Sequence, residues 1–141
     1  NSSYTYVSWE NCSLRKWLNG TFLNAAFSAE EQAIIQSTNV SADNNPKYST
    51  DSGNATTDKV FLLSINEAEK YFASDSTRQC KPTEYAVEIG ASVSWWWLRS
   101  PGYNQACAAS IGTDGSVGYS GSNVYYGRGC IRPALWVNLE S

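Results

Sequence analysis

The sequence predicts an α+β domain with segregated elements: helices in the first two-thirds, an antiparallel sheet and loops in the last third. Three observations carry this. Two capping boxes, Ser28 with Glu31 and Ser64 with Glu67, open helical segments early in the chain. Late in the chain, Asp114-Gly115 sits between alternating apolar residues, the signal of a tight hairpin. Finally, two apolar clamps, Trp95–Gly102 and Gly129–Val137, enclose a stretch of Tyr, Asn, Ser, Gly and Ala with almost no charge. The clamps read as buried strands and the stretch between them as the working surface.

In order along the chain, residues 1–10 hold Tyr4, Tyr6 and Val7 in loose alternation and read as a short strand or entry segment. A helix comes next, with Ser13 as cap, Leu14, Trp17 and Leu18 on one face, and Asn19-Gly20 as its stop. The box at Ser28 opens a second short helix to about Gln36, with Ala33 and one of Ile34 or Ile35 facing inward. Residues 41–57 are Ser, Asp, Asn, Pro, Thr and Gly, a long loop of the kind that is functional or mobile. Asp43, Asp51 and Asp58 lack the spacing of a calcium loop, so a solvated loop is the better reading.

Asp58–Ser64 is a compact apolar run and reads as a buried strand. The box at Ser64 opens a helix through Phe72 that turns Glu67, Glu69 and Lys70 to water. Pro82-Thr83 starts another helical turn, ended by Gly90. After the Trp-rich strand, Ala109, Ile111, Val117 and Tyr119 flank the Asp114-Gly115 turn, and Gly118, Gly121, Gly127 and Gly129 break the next segment into loops. Ile131–Val137 returns as a strand, with Pro133 at an end, edge or bulge because it has no N–H to give a ladder.

Composition narrows the function. At 141 residues the chain is one domain, residues 1–141. Lacking Met and a signal peptide, it is expected to be part of a longer or processed protein. Charged residues are 16%, against about a quarter in an average chain. Net charge is -3 with no basic run, which removes nucleic acid as a partner. No apolar run reaches spanning length, so direct membrane insertion is not expected. Six Trp and nine Tyr point instead to a large core and a contact surface. Tyr beside Ser, Gly and Asn has the composition of an antibody paratope: rigid contact area next to adaptable hydrogen bonds.

Cysteines and sequons add little. Cys12, Cys80, Cys107 and Cys130 form no close pair, and the lack of His excludes a Cys/His zinc site as well as Ser-His or Cys-His catalysis. Free thiols and one disulfide remain equally open. The sequons at Asn11, Asn19, Asn39 and Asn54 are what chance supplies in a chain rich in Asn, Ser and Thr.

Side chains in a strand alternate, so Trp96 should point one way and Trp95 and Trp97 the other, at least one face being core. Arg99 and Arg132 are expected to pair with buried carbonyls or carboxylates rather than with ligand. Tyr103, Tyr119, Tyr125 and Tyr126 lie among small residues in turn-rich sequence, where exposure and ligand contact are expected.

Five motifs carry a family resemblance: Trp96-Trp97-Leu98-Arg99-Ser100-Pro101-Gly102, Asp114-Gly115-Ser116-Val117, Ile131-Arg132-Pro133-Ala134-Leu135-Trp136-Val137, Leu14–Asn19 and Asp58–Ser64. Through them the chain resembles the uncharacterised C-type-lectin-like domains of gut Firmicutes and their phages over nearly its whole length. Cys130, beside the usual Gly, departs from that pattern. Some such domains resemble the variable proteins of diversity-generating retroelements, in which Asn codons scatter into Tyr, Ser, Gly, Cys, Arg, Thr and Asp. Tyr103, Asn104, Cys107, Ser110, Gly112, Thr113, Tyr119, Ser120, Ser122, Asn123, Tyr125, Tyr126 and Arg128 belong to that set, and Ile111, Asp114, Gly115, Val117 and Val124 look like framework between them.

The resemblance implies a C-type-lectin-like fold and a receptor-binding or adhesion role, outside the cell, on its surface or on a phage virion, toward a protein or glycan ligand. The expected contact residues are Tyr103, Asn104, Gln105, Cys107, Ser110, Tyr119, Ser120, Ser122, Asn123, Tyr125, Tyr126 and Arg128, with no catalytic residue, metal or cofactor. Two alternatives stay open. One is a fixed carbohydrate-binding module, with Trp95, Tyr125 or Tyr126 stacking on a sugar, although the Glu-Pro-Asn and Trp-Asn-Asp motifs of calcium-dependent lectins are missing. The other is an oxidase resembling the formylglycine-generating enzymes, for which Cys107 and Cys130 would be the only candidates for a copper-binding pair.

Overall fold

The computed structural model describes residues 4–140, so the expectations for residues 1–3 and 141 fall outside the described residues. Among its described residues, 4–10, the entry segment forms no strand. Val7 N–H donates to the Gln105 carbonyl at 3.0 Å, and a short 3₁₀ turn, Trp9–Asn11, buries Trp9. Helix α1, Ser13–Trp17, is capped by Cys12 rather than Ser13: the Cys12 Sγ accepts from Arg15 N–H at 3.4 Å.

Nor does the helix stop at Asn19-Gly20. It widens into a π-helical turn, Leu18–Phe22, and continues as α2, Leu23–Ala26. Gly20 does not take up the left-handed conformation of a helix stop, and the Asn19 side chain is engaged elsewhere. Its Nδ2 donates to the Arg15 and Val60 carbonyls (3.1 and 2.8 Å), and its Oδ1 accepts from Lys59 and Val60 N–H (2.9 and 3.0 Å). Asn19 thus completes the hydrogen bonding of a distant backbone segment instead of ending its own helix.

Both capping boxes form. Ser28 Oγ and the Glu31 carboxylate exchange bonds with each other's N–H at the start of α3, Ala29–Ile34. Ser64 and Glu67 do the same for α4, Ile65–Tyr71. Of the three inward candidates on α3, Ile35 is buried and Ala33 and Ile34 are exposed. Two strands that the sequence did not announce, β1 Thr38–Val40 and β2 Thr56–Asp58, pair antiparallel and close the base of the long loop between them. Helices α5, Asp75–Arg78, and α6, Glu84–Glu88, come next, the latter capped by Thr83 Oγ and ended by Gly90.

The main sheet is β3 Trp96–Pro101, β4 Cys107–Ile111 and β5 Val117–Asn123, antiparallel in the order β3-β4-β5. The β4–β5 hairpin turns at Asp114-Gly115 as expected. A Cβ on Gly115 (φ +85°) would lie 1.7 Å from the Asp75 carbonyl oxygen, so the turn is pressed onto α5 and admits only glycine. Gly118 and Gly121 do not end the strand. Gly121 (φ +64°) lies in a bulge of β5, between the pairs Ser110↔Gly118 and Ala108↔Ser122, and β5 pairs again beyond it.

The closing apolar run is a seam rather than a strand. Cys130 bridges Trp96, Ala134 bridges Phe61 with reciprocal bonds of 3.0 and 2.8 Å, and Val137 bridges Ile35. Three isolated contacts replace a ladder, and Pro133, without an N–H, stands beside the middle one. The run Asp58–Ser64 is likewise no strand beyond Asp58, which ends β2, although Val60, Phe61 and Leu62 are buried in it.

Two core clusters lie on the two sides of β3, and alternation along that strand divides its residues between them. Trp96 and Leu98 pack with Ile65, Ala68, Ala109 and Ile111. Trp97 packs with Trp9, Leu18, Val60 and Leu62, and Trp95 meets its ring edge-on at 4.8 Å between centroids. Arg99 and Asp58 are paired in the interior, whereas Arg132, expected to pair likewise, lies over the Phe72 and Trp96 rings with its buried Nη1 lacking a hydrogen-bond partner among the described residues. Arg99 donates to the Leu62 and Ser41 carbonyls and to the Glu67 carboxylate, so Glu67 faces the core rather than water. Asp58 accepts from Trp9 Nε1 (3.0 Å), Arg15 Nε (2.8 Å) and Thr56 Oγ1 (2.6 Å), which removes it from any solvated acidic loop.

Candidate functional site

One end of the main sheet carries a field of exposed tyrosines. Tyr103 stands in the β3–β4 connection and Tyr125 and Tyr126 in the loop after β5; all three are exposed as expected. Tyr4 and Tyr6 of the entry segment and Tyr48 of the long loop join them, also exposed. Rings meet in pairs: Tyr48 with Tyr103 at 6.4 Å, Tyr4 with Tyr6 at 6.2 Å, Tyr125 with Tyr126 at 6.2 Å. The Tyr4 hydroxyl is raised above the ordinary phenol value, first by partial loss of solvent and then by Tyr6, Tyr103, Cys107 and Tyr125, which places these groups in one neighbourhood.

Asn45 holds this face from behind. It is buried, its Nδ2 donates to the carbonyls of Pro101 (2.8 Å), Gly102 (3.3 Å) and Tyr119 (2.8 Å), and its Oδ1 accepts from Lys47 and Tyr48 N–H (2.9 and 3.0 Å). A single amide therefore fixes the loop that carries Tyr48, the end of β3 next to Tyr103, and the β5 bulge. Thr50 Oγ1 adds a bond to the Gly102 carbonyl at 2.7 Å. Tyr103 N–H donates to the Ser120 carbonyl at 3.0 Å, which ties the β3–β4 connection to β5. Gln105 Nε2 donates to the Asp51 carbonyl at 2.8 Å. The long loop is thus stitched to the sheet along its length.

Beside the tyrosines a cavity of about 310 Å³ opens between the entry segment, β3 and the loop after β5. Leu14, Leu62, Trp97 and Ala108 line it, with Tyr125 and Tyr126 among its wall residues.

The remaining predicted contacts divide. Asn104, Gln105, Ser120, Ser122, Asn123 and Arg128 are exposed or half-exposed at the same end of the sheet. Cys107 is buried: its thiol donates to Asn123 Oδ1 at 3.5 Å and supports the face without forming part of it. Tyr119 is half-buried against the second core cluster, and its hydroxyl bonds to Glu69 on α4. Ser110 pairs with Gly118 in the hairpin. Cys107 and Tyr119 are therefore turned away from this face, while Ser110 stays half-exposed like Asn104 and Gln105. Sequence reasoning missed Tyr4, Tyr6 and Tyr48. The Tyr-Thr-Tyr alternation at residues 4–6 was the available signal, but nothing local announced that the long loop brings Tyr48 to Tyr103.

The family model for a domain of unknown function, DUF6273, matches residues 1–139. The chain belongs to the DUF6273 family. No curated protein and no solved structure matches it.

Three thiols of this DUF6273 domain are biased toward the neutral form. Burial pushes Cys12, Cys107 and Cys130 above the ordinary thiol value, only partly offset at Cys12 by the Arg15 N–H and at Cys107 by Tyr103. A nucleophile or a copper ligand uses the thiolate, so this shift runs against both roles. Cys130 has Cys80 rather than Cys107 as its neighbouring thiol, and it donates to the Val93 carbonyl at 3.2 Å. All four cysteines are free thiols. Among the described residues no helix is long and apolar enough to cross a membrane.

Proposed function

We propose that the tyrosine face is a ligand-binding surface displayed on a C-type-lectin-like scaffold, and that this domain is a variable protein of a diversity-generating retroelement. The observation that carries the reading is the contiguous exposed cluster of Tyr4, Tyr6, Tyr48, Tyr103, Tyr125 and Tyr126 on a frame fixed by buried hydrogen bonds. Exposed aromatic rings cost a monomer solubility, and tyrosine offers a large contact area with only two side-chain torsions to freeze. Asn104, Ser120, Ser122 and Asn123 sit between the rings and supply adaptable donors and acceptors. The ligand is a protein or glycan on a cell or virion surface, the protein acts outside the cell, and it needs no cofactor and performs no catalysis.

The test joins genetics to binding. A reverse transcriptase gene and a near-identical template repeat should lie beside the coding sequence, with differences between repeats confined to codons in the 103–128 region. Tyr125→Ala with Tyr126→Ala should abolish binding to intact cells of the native community while the melting temperature stays within a few degrees. Equal binding by homologues that differ throughout residues 103–128, all to one glycan class on an array, would replace this reading with a fixed lectin.

A further inference from the structure

Two of the four thiols share one cavity. Cys80, in the connection between α5 and α6, and Cys130, in the closing seam, both line a second cavity of about 550 Å³. Both are half-buried, and both pack against the core cluster that holds Trp96 and Ile65. Trp96 brings their two segments together. Its Nε1 donates to the Arg78 carbonyl at 3.1 Å, just before Cys80 in the chain. Its backbone neighbours bond Cys130: Cys130 N–H donates to the Trp95 carbonyl at 3.0 Å, and Trp97 N–H to the Cys130 carbonyl at 3.1 Å. The Cys130 thiol is raised first by burial and then by Cys80, which sets the two sulfurs within electrostatic reach of each other. The other two thiols are held elsewhere. Cys12 packs with the first core cluster, on the opposite side of β3, and Cys107 is buried with its thiol on Asn123.

We propose that Cys80 and Cys130 are a redox pair that closes into a disulfide under oxidising conditions and staples the α6 segment to the closing seam. The need for a tie lies in α6 itself. It is five residues long and buries none of them, and so short a helix does not stand on its own hydrogen bonds. Tyr85, Val87 and Ile89, on it and at its end, are exposed. Neither thiol is strongly engaged: Cys80 donates to the Lys81 carbonyl at 3.6 Å and Cys130 to the Val93 carbonyl at 3.2 Å. The oxidant is a small disulfide of the glutathione class. One cysteine thiolate attacks a sulfur of the reagent and expels one reduced thiol; the second attacks the mixed disulfide and expels the other. The pair gives up two electrons and two protons, and the reagent takes them up as its two thiols. A tie across so long a loop stabilises mainly by restricting the unfolded chain. Failure of this proposal leaves the surface reading standing, because neither cysteine belongs to the tyrosine face.

The test starts from the reduced 141-residue chain, incubated with oxidised glutathione until its thiol content is constant and digested without reductant. Mass spectrometry should find one cross-linked peptide pair carrying Cys80 and Cys130, with Cys12 and Cys107 still free. The oxidised chain should melt about 5–15 °C above the reduced one. Amide exchange over residues 84–90 should slow by about tenfold on oxidation. Cys80→Ser should abolish both the melting shift and the slowing, and Cys130→Ser should do the same; if Cys130→Ser does not fold, Cys80→Ser decides alone. Persistence of all four free thiols, glutathione retained on both Cys80 and Cys130, or a cross-link between any other pair overturns the proposal. So does unchanged exchange over residues 84–90 in the oxidised chain, or a melting shift that survives in Cys80→Ser.

Discussion

Replacing Asn45 by Ala should cost more than any other loss of a single neutral side chain of its size in this protein. The Nδ2 group is a donor to the Pro101 and Tyr119 carbonyls at 2.8 Å, and both oxygens lose it together. Gly102 O is spared, because Thr50 Oγ1 still reaches it at 2.7 Å. Leaving two carbonyls short of a partner costs about 1–3 kcal/mol each, less where water reaches the Tyr119 oxygen. The Lys47 and Tyr48 N–H groups are partly buried and would recover solvent at a cost of about 1 kcal/mol for the pair. The sum is about 3–5 kcal/mol, or a fall in melting temperature of roughly 10–20 °C for a domain of this length. Equilibrium urea unfolding of Asn45→Ala against the parent, monitored by tryptophan fluorescence, reads this directly. A loss below about 1 kcal/mol would refute the view that one amide clamps loop, β3 and β5 together.

Packing and charge set three further outcomes. Trp96→Ala should destabilise by about 3–5 kcal/mol, while Trp136→Ala should cost under about 1 kcal/mol, since Trp136 is 49% exposed and merely meets Tyr71 edge-on; denaturant midpoints of the pair check the contrast. Glu67→Ala should cost about 3–5 kcal/mol by leaving Arg99 charged and buried without its carboxylate, and by opening the α4 capping box; thermal unfolding measures it. The Tyr119 hydroxyl is held above the usual phenol value, first by its bond to Glu69. A raised folded value means that its stabilisation is complete below the unfolded phenol value of about 10 and fades as pH rises through the folded one. Tyr119→Phe should therefore lower the unfolding free energy at neutral pH by the worth of that bond and flatten its alkaline fall, the two curves converging as pH rises, as pH-resolved denaturation would show.

Legibility in the sequence tracks the range of the interaction. Capping boxes at Ser28 and Ser64, the Thr83 cap and the Asp114-Gly115 turn depend on residues within a few positions of one another, and each formed as expected. Alternation also divided Trp96 from Trp97 correctly, because pleat is a property of the strand itself. The errors came from partners far along the chain. Asn19 reads as a stop, yet it bonds to Lys59 and Val60 some 40 positions away. Glu67 reads as solvent-facing and is claimed by Arg99, 32 positions later. Ile131–Val137 has the composition of a strand, but its bridge partners Phe61 and Ile35 lie in two separate segments, and Cys130 just before it bridges Trp96 of β3. The same rule governs the site. Tyr103, Tyr125 and Tyr126 were readable because their neighbours are small and turn-forming, whereas Tyr48 reaches the face only through Asn45.

This distribution of contacts bears on how such a surface tolerates change. The groups that fix it are not the groups it displays. Asn45 and Thr50 hold the β3–β4 connection by its carbonyls, which every residue type supplies, and Tyr103 is tied to Ser120 through backbone alone. Substituting Tyr103, Ser120 or Tyr125 therefore leaves the anchoring bonds in place. Ala106, Cys107, Ala109, Ile111, Gly115 and Gly121 are the exceptions within the span: the first four are buried, and a Cβ on Gly115 or Gly121 would lie 1.7 or 1.8 Å from the Asp75 or Ala108 carbonyl oxygen. If the face is diversified, variation should be dense at the exposed positions and should stop at those six. A set of natural relatives with free substitution at Gly121 would mean that the β5 bulge is not the frame on which the surface rests.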